Sequence, residues 1–106
     1  MTDNHLIAAL AGALNGSPRA RALAGLAYVK YPPRELVPHH LSDGTISVNV
    51  ARWGYEYKHR GPKPPIYPIN PTAVCEALAP IMPEGVTIQN IVDCGRYITI
   101  TFKEEK

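Results

Sequence analysis

The sequence predicts an α+β domain: one small antiparallel sheet of about three strands, with two or three helices packed on one side, in the order α-α-β-α-β-β. Three observations carry that expectation. Aliphatic residues recur at helical spacing in the first part of the chain. Strict apolar/polar alternation runs twice later on, over Thr45–Ala51 and Arg96–Lys103. The chain has 11 prolines in 106 residues, about twice the average usage, and they gather between those patterned segments. Each proline fixes φ and removes a donor, so the connections are long, irregular and Pro-rich.

In chain order, Leu6, Leu10 and Leu14 fall at i, i+4 and i+8 with Ile7 beside them, which is one face of a helix. Asp3 or Asn4 can cap its start, and Asn15-Gly16 reads as its end. Ser17-Pro18 is an N-cap followed by a first-turn proline, so a second helix opens there and is expected to run to about Val29. Leu23, Leu26 and Ala27 would face inward, Arg19 and Arg21 outward. Gly12 and Gly25 would let the two helices approach closely. Tyr28, Val29 and Tyr31 read as a helix end or as a short strand. Residues 32–44 are broken by Pro32, Pro33 and Pro38, and Ser42-Asp43-Gly44 is a turn into the central strand.

In that strand Ile46, Val48 and Val50 share one face. After Arg52 the alternation resumes as Trp53, Tyr55 and Tyr57, with the phase moved by one residue. A bulge near Arg52–Gly54 would return the aromatics to the aliphatic face and make them core. Without one they form a separate aromatic face. From Gly61 to Pro71 five prolines interleave with Ile66, Tyr67 and Ile69, an extended run expected to lie along the domain surface. Asn70-Pro71 starts a third helix with Val74, Cys75 and Leu78 inward, Ile81 as an extension and Pro80 as its limit. Val86–Val92 and Arg96–Lys103 form a hairpin around Asp93-Cys94-Gly95. The whole, residues 1–106, is expected to be one globular domain.

Net charge is only +2, but it is uneven: Arg19–Lys63 carries eight Lys/Arg against three acids, and the C-terminal part is mildly acidic. No cationic region precedes the apolar Leu6–Leu14, no stretch approaches a membrane span, and the two cysteines lie outside any C-x-x-C. A soluble, reduced, cytoplasmic protein is expected, with Cys75 as a small core residue, Cys94 accessible, and no disulfide between them.

Candidate chemistry is sparse. His5, His39, His40, His59, Cys75 and Cys94 fall in no zinc spacing, so neither metal nor cofactor is expected. Ser17, Ser42 and Ser47 lie in no nucleophile elbow, and the chain has no phosphate-cradling glycine loop. His39, His40 and Asp43 share a loop that could in principle do acid–base chemistry; otherwise catalysis has no motif, and a non-enzyme is expected.

Binding is the remaining class. Arg52, Trp53, Tyr55, Tyr57, Lys58, His59, Arg60 and Lys63 interleave cations with aromatics, and Tyr67 follows in the proline run. Tyr, Trp and Arg dominate protein interfaces. Tyr31 and Tyr97 are further candidate surface tyrosines. The same pattern suits bases stacked on rings with phosphates on cations, which makes nucleic acid the alternative partner. A protein partner is favoured, and an exposed edge strand also invites a second copy of the chain. Size and lack of motif are shared with small accessory or inhibitor proteins of phages and mobile elements, an analogy carried by no residue pattern.

Overall fold

A computed structural model describes residues 3–26, 31–52 and 68–104. Helix α1 spans Asp3–Gly16 and buries Leu6, Ile7, Leu10 and Leu14, the face set by the leucine spacing. Helix α2, Pro18–Leu23, starts where Ser17 accepts a hydrogen bond from the Ala20 amide. It stops earlier than expected. Gly25 takes φ +65°, its amide donates to the Ala22 carbonyl, and the Leu26 amide reaches back to the Arg21 carbonyl. This is a left-handed glycine cap that closes a helix. Gly25 therefore ends α2, and Leu26 packs into the core from beyond the helix.

A short 3-10 turn, Pro33–Glu35, leads to β1, Pro38–His40, and then to β2, Ile46–Ala51. Helix α3, Pro71–Leu78, is capped by Asn70, whose side chain accepts from the Thr72 and Ala73 amides. A second 3-10 turn, Ala79–Ile81, follows at Pro80. Ile81 is 45 % exposed, so it does not extend the inner face of α3. Strands β3, Val86–Asp93, and β4, Tyr97–Glu104, form the expected hairpin.

Among the described residues the sheet has four antiparallel strands in the order β1-β2-β4-β3, where about three were expected. The added strand is β1. Its three residues show no alternation and include Pro38, and they become a strand only because β2 offers a ladder to pair with. Ile46, Val48 and Val50 of β2 meet Ile98, Ile100 and Phe102 of β4 on one face. With Ile91 they share a single core with Leu6, Leu10 and Leu14 of α1 and Val74 and Leu78 of α3. The opposite face carries Ser47, Asn49, Thr99 and Thr101, and the Thr99 hydroxyl donates to Asn49 Oδ1 at 2.8 Å.

Tyr31, read as a surface residue, is buried. Asn15 Nδ2 donates to the Tyr31 carbonyl at 3.1 Å, the Tyr31 amide donates to Asn15 Oδ1 at 2.6 Å, and the Tyr31 hydroxyl reaches the Ala51 carbonyl at 3.3 Å. Asn15 thus satisfies both backbone groups of a residue sixteen positions away, tying the end of α1 to the end of β2.

Gly12 does not serve close packing. A Cβ built there would meet no described atom within 4 Å. Gly12→Ala is therefore expected to stabilise the chain by roughly 0.5–1 kcal/mol, through the lower entropy of the unfolded chain and better helix propensity. Chemical denaturation would show it as a higher midpoint at unchanged slope.

Candidate functional site

The binding residues expected from sequence fall mainly outside the described residues: Trp53, Tyr55, Tyr57, Lys58, His59, Arg60, Lys63 and Tyr67 all do. What the structure defines is the place where both flanks of that stretch are held. That place is the turn between β3 and β4.

On the N-terminal flank, β2 keeps its phase beyond Ala51, and Arg52 follows Ile46, Val48 and Val50 onto the buried side. No bulge intervenes up to this point; Trp53 and Gly54 lie outside the described residues. The expectation that Arg52 is open to a partner is corrected: its side chain is only 2 % exposed. A buried guanidinium needs compensating acceptors. Arg52 Nη1 donates to the Gly95 carbonyl at 3.0 Å and lies 3.8 Å from Asp93 Oδ1. The Arg52 amide adds one more rung to the ladder by donating to the Arg96 carbonyl at 2.9 Å. Gly25 covers the other side: a Cβ there would sit 2.6 Å from Arg52 Nη2. The buried arginine therefore joins three places: the cap of α2, the end of β2 and the β3–β4 turn.

On the C-terminal flank, the Ile69 amide donates to Asp93 Oδ2 at 3.4 Å. Asp93 Oδ1 also accepts from the Gly95 amide at 2.9 Å, which shapes the turn with Gly95 at φ +86°. The Cys94 amide closes the hairpin on the Tyr97 carbonyl at 3.0 Å. Asp93 thus serves both flanks, since each of its oxygens holds a different backbone amide and one faces Arg52.

The Gly95 amide above all, helped by the Ile69 amide and the Arg52 charge, holds the Asp93 carboxyl below its ordinary value of 3.8, against an opposing effect of burial that outweighs either of the two helpers alone. Asp43 is lowered too, by the Thr45 hydroxyl and amide that its Oδ1 accepts. A carboxyl whose folded pKa is depressed contributes stability above its unfolded value and loses it as pH falls through the folded one. Stability is expected to decline below about pH 4. Asp93→Asn and Asp43→Asn should each flatten part of that decline in melting temperature against pH, and Asp93→Asn should also lower the plateau.

Around the turn stand exposed groups: Arg96, Cys94 and Tyr97, the last 40 % exposed. Cys94 Sγ is 3.7 Å from the Thr99 hydroxyl, and both Cys94 and Cys75 are free thiols. Cys75 packs partly buried against the core, where burial pushes its thiol pKa up, with Glu76 adding to the rise.

No family model, curated protein or solved structure matches this chain. The fold and this turn therefore stand alone as the basis for function.

The other candidate groups do not converge. His39 and His40 are both exposed, His40 Nε2 lies 2.8 Å from Asp3 Oδ2, and Asp43 is engaged with Thr45. Among the described residues, no three His, Cys, Asp or Glu side chains come together, and no helix is long and apolar enough to cross a membrane. A shallow groove of about 410 Å³ between α1 and β1 is lined by Asp3, Ile7, Arg34, Leu36 and Val37. It does not adjoin the turn.

Sequence reasoning missed Asp93, Gly95, Gly25 and Ile69 as members of this site. Asp93-Cys94-Gly95 was legible as a turn, and Arg52 was legible as in phase with Val48 and Val50. Their meeting across 43 residues was not legible.

Proposed function

We propose that this chain is a small binding protein that acts by surface contact with a larger protein and makes or breaks no covalent bond. The contact residues are Trp53, Tyr55, Tyr57, Lys58, His59, Arg60, Lys63 and Tyr67, and Arg52 is their anchor. The observation that carries this reading is the convergence of Arg52 and Ile69 on Asp93 and Gly95. A span of sixteen residues whose two ends are fixed at one turn has part of its closure entropy met by the fold. Side chains rich in Tyr, Trp and cations, carried between fixed ends on a rigid sheet, are the composition and mounting of an interface. Accessory or inhibitor proteins that work by occupying a partner's surface are the class this suits.

The test is quantitative capture from nuclease-treated extract of the source cell. It compares the wild type with a variant carrying Trp53→Ser, Tyr55→Ser, Tyr57→Ser and Tyr67→Ser, matched for melting temperature. A protein retained by the wild type, lost from the variant and bound again as a purified component supports the reading. Identical retention by both ends it.

Nucleic acid is the second reading, favoured by one observation: Arg96 is exposed at the same turn, adding a cation to Lys58, Arg60 and Lys63. Oligonucleotide binding that weakens steeply with salt, and whose salt slope drops on Arg96→Ala, would select it over a protein partner.

A further inference from the structure

The two edges of the sheet are built differently. Strand β1 is three residues long, begins with Pro38, which has no amide hydrogen, and continues with two histidines. Short length, proline and polar side chains are how natural sheets keep an edge from pairing. Strand β3 is neither short nor interrupted by proline. It runs for eight residues, Val-Thr-Ile-Gln-Asn-Ile-Val-Asp, contains no lysine, arginine or proline, and carries its only charge at the final residue. Among the described residues no strand lies beyond its outer edge. Val92 stands 44 % exposed along it.

Strand β3 also has a feature that a generic edge lacks. Its register on β4 shifts between Ile88 and Asn90, so Gln89 is an extra residue in the strand. The shift changes which residues share a face. Ile88 lies opposite Phe102 and Ile91 opposite Ile100, both on the core side, while Thr87 lies opposite Lys103 and Val92 opposite Thr99, both on the open side. In a strand without a bulge, residues an odd number apart lie on opposite faces. Here Ile88 and Ile91 lie on one face, and Thr87 and Val92 on the other.

That arrangement is two-fold symmetric along the strand. Turn β3 end for end about the Gln89–Asn90 step, and Ile88 falls on Ile91, Thr87 on Val92, and Val86 on Asp93, each on the matching face. A bulge ordinarily spoils an edge because an incoming straight strand cannot follow it. A second copy brings the same bulge to the same place.

We propose that β3 is a self-association edge, where a second copy of this chain pairs antiparallel through the two-fold axis at Gln89 and Asn90 to make one eight-stranded sheet. The pairing sets Ile88 of one copy against Ile91 of the other at the core rim, and β-branched Thr87 against Val92 on the open face, as favourable cross-strand pairs. Asp93 falls opposite Val86, so no like charges within the strand are opposed. Gln89 and Asn90 meet across the axis, where their amides can hydrogen-bond. The two Asp93 turns then lie roughly 20 Å apart at opposite ends of the paired strands. This inference does not depend on the partner-binding reading.

Sedimentation equilibrium of the full chain gives the test. The wild type is expected to approach twice the chain mass of 11.6 kDa as its concentration rises through the micromolar range. Gln89→Glu with Asn90→Asp keeps the side-chain shapes and sets four carboxylates at the axis, so it should hold the chain monomeric with unchanged circular dichroism. Gln89→Lys with Asn90→Lys should do the same. Mixing the acidic and basic variants should restore a dimer containing one of each. A wild type that stays at one chain mass up to about a millimolar overturns the proposal. So does a dimer indifferent to both variants, and so does a mixture of the two that remains monomeric.

Discussion

Arg52→Ala is expected to lower stability by about 3 kcal/mol, one of the largest effects of any single substitution in this chain. Three losses add. The buried stem leaves a cavity between β2 and the cap of α2. The Gly95 carbonyl loses a charged donor. Asp93 loses its facing charge. The first two dominate, because Asp93 is more accessible, with its side chain 28 % exposed, and keeps the Gly95 and Ile69 amides. Arg52→Met separates the contributions: it refills the space and supplies no donor, so it should recover roughly half of the loss. For a domain of this size the alanine variant should melt about 15 °C lower. An alanine variant within a few tenths of a kcal/mol of the wild type would mean that Arg52 is not the anchor described.

Gly25→Ala is the second large effect, at about 2–3 kcal/mol, and it has two separable origins. An alanine at φ +65° costs about 1 kcal/mol in backbone strain. The remainder comes from a Cβ placed 2.6 Å from Arg52 Nη2. The far end of an arginine can ordinarily swing away, but Gly95 and Asp93 hold this one. In the Arg52→Ala background the clash disappears and only the strain remains, so the cost of Gly25→Ala should fall to about 1 kcal/mol. A double-mutant cycle by urea denaturation reads the difference as the coupling between the two positions. Strict additivity would show that Gly25 and Arg52 do not touch in solution.

Much of the fold was legible because it is local. Ser17-Pro18 and Asn70-Pro71 begin helices through contacts spanning three residues, and the leucine spacing of α1 fixes its buried face. The alternation in β2 and β4 fixes which side meets the core. What escaped depends on distant partners. Strand β1 exists because β2 pairs with it, and nothing within Pro38-His39-His40 announces a strand. Gly25 was read as a packing glycine, whereas its left-handed conformation ends α2 and its missing Cβ makes room for Arg52. Arg52 shows the limit most clearly. Its position in the alternation pointed inward and its charge pointed outward. The conflict was settled by a carbonyl at Gly95 and a carboxylate at Asp93, both more than forty residues away. The Gln89 bulge leaves only a faint mark, the three-residue step from Ile88 to Ile91 after the two-residue step from Val86 to Ile88, and adjacent Ile91 and Val92 blur it.

The aromatic and basic residues following Arg52 are proposed as the contact residues for a partner. The chain has one tryptophan, Trp53, so its fluorescence reports on that stretch alone. The free protein is expected to emit as a water-exposed indole and to be quenched by iodide almost as readily as free tryptophan. A blue-shifted emission that iodide cannot reach would place Trp53 inside the core and remove it from any contact with a partner.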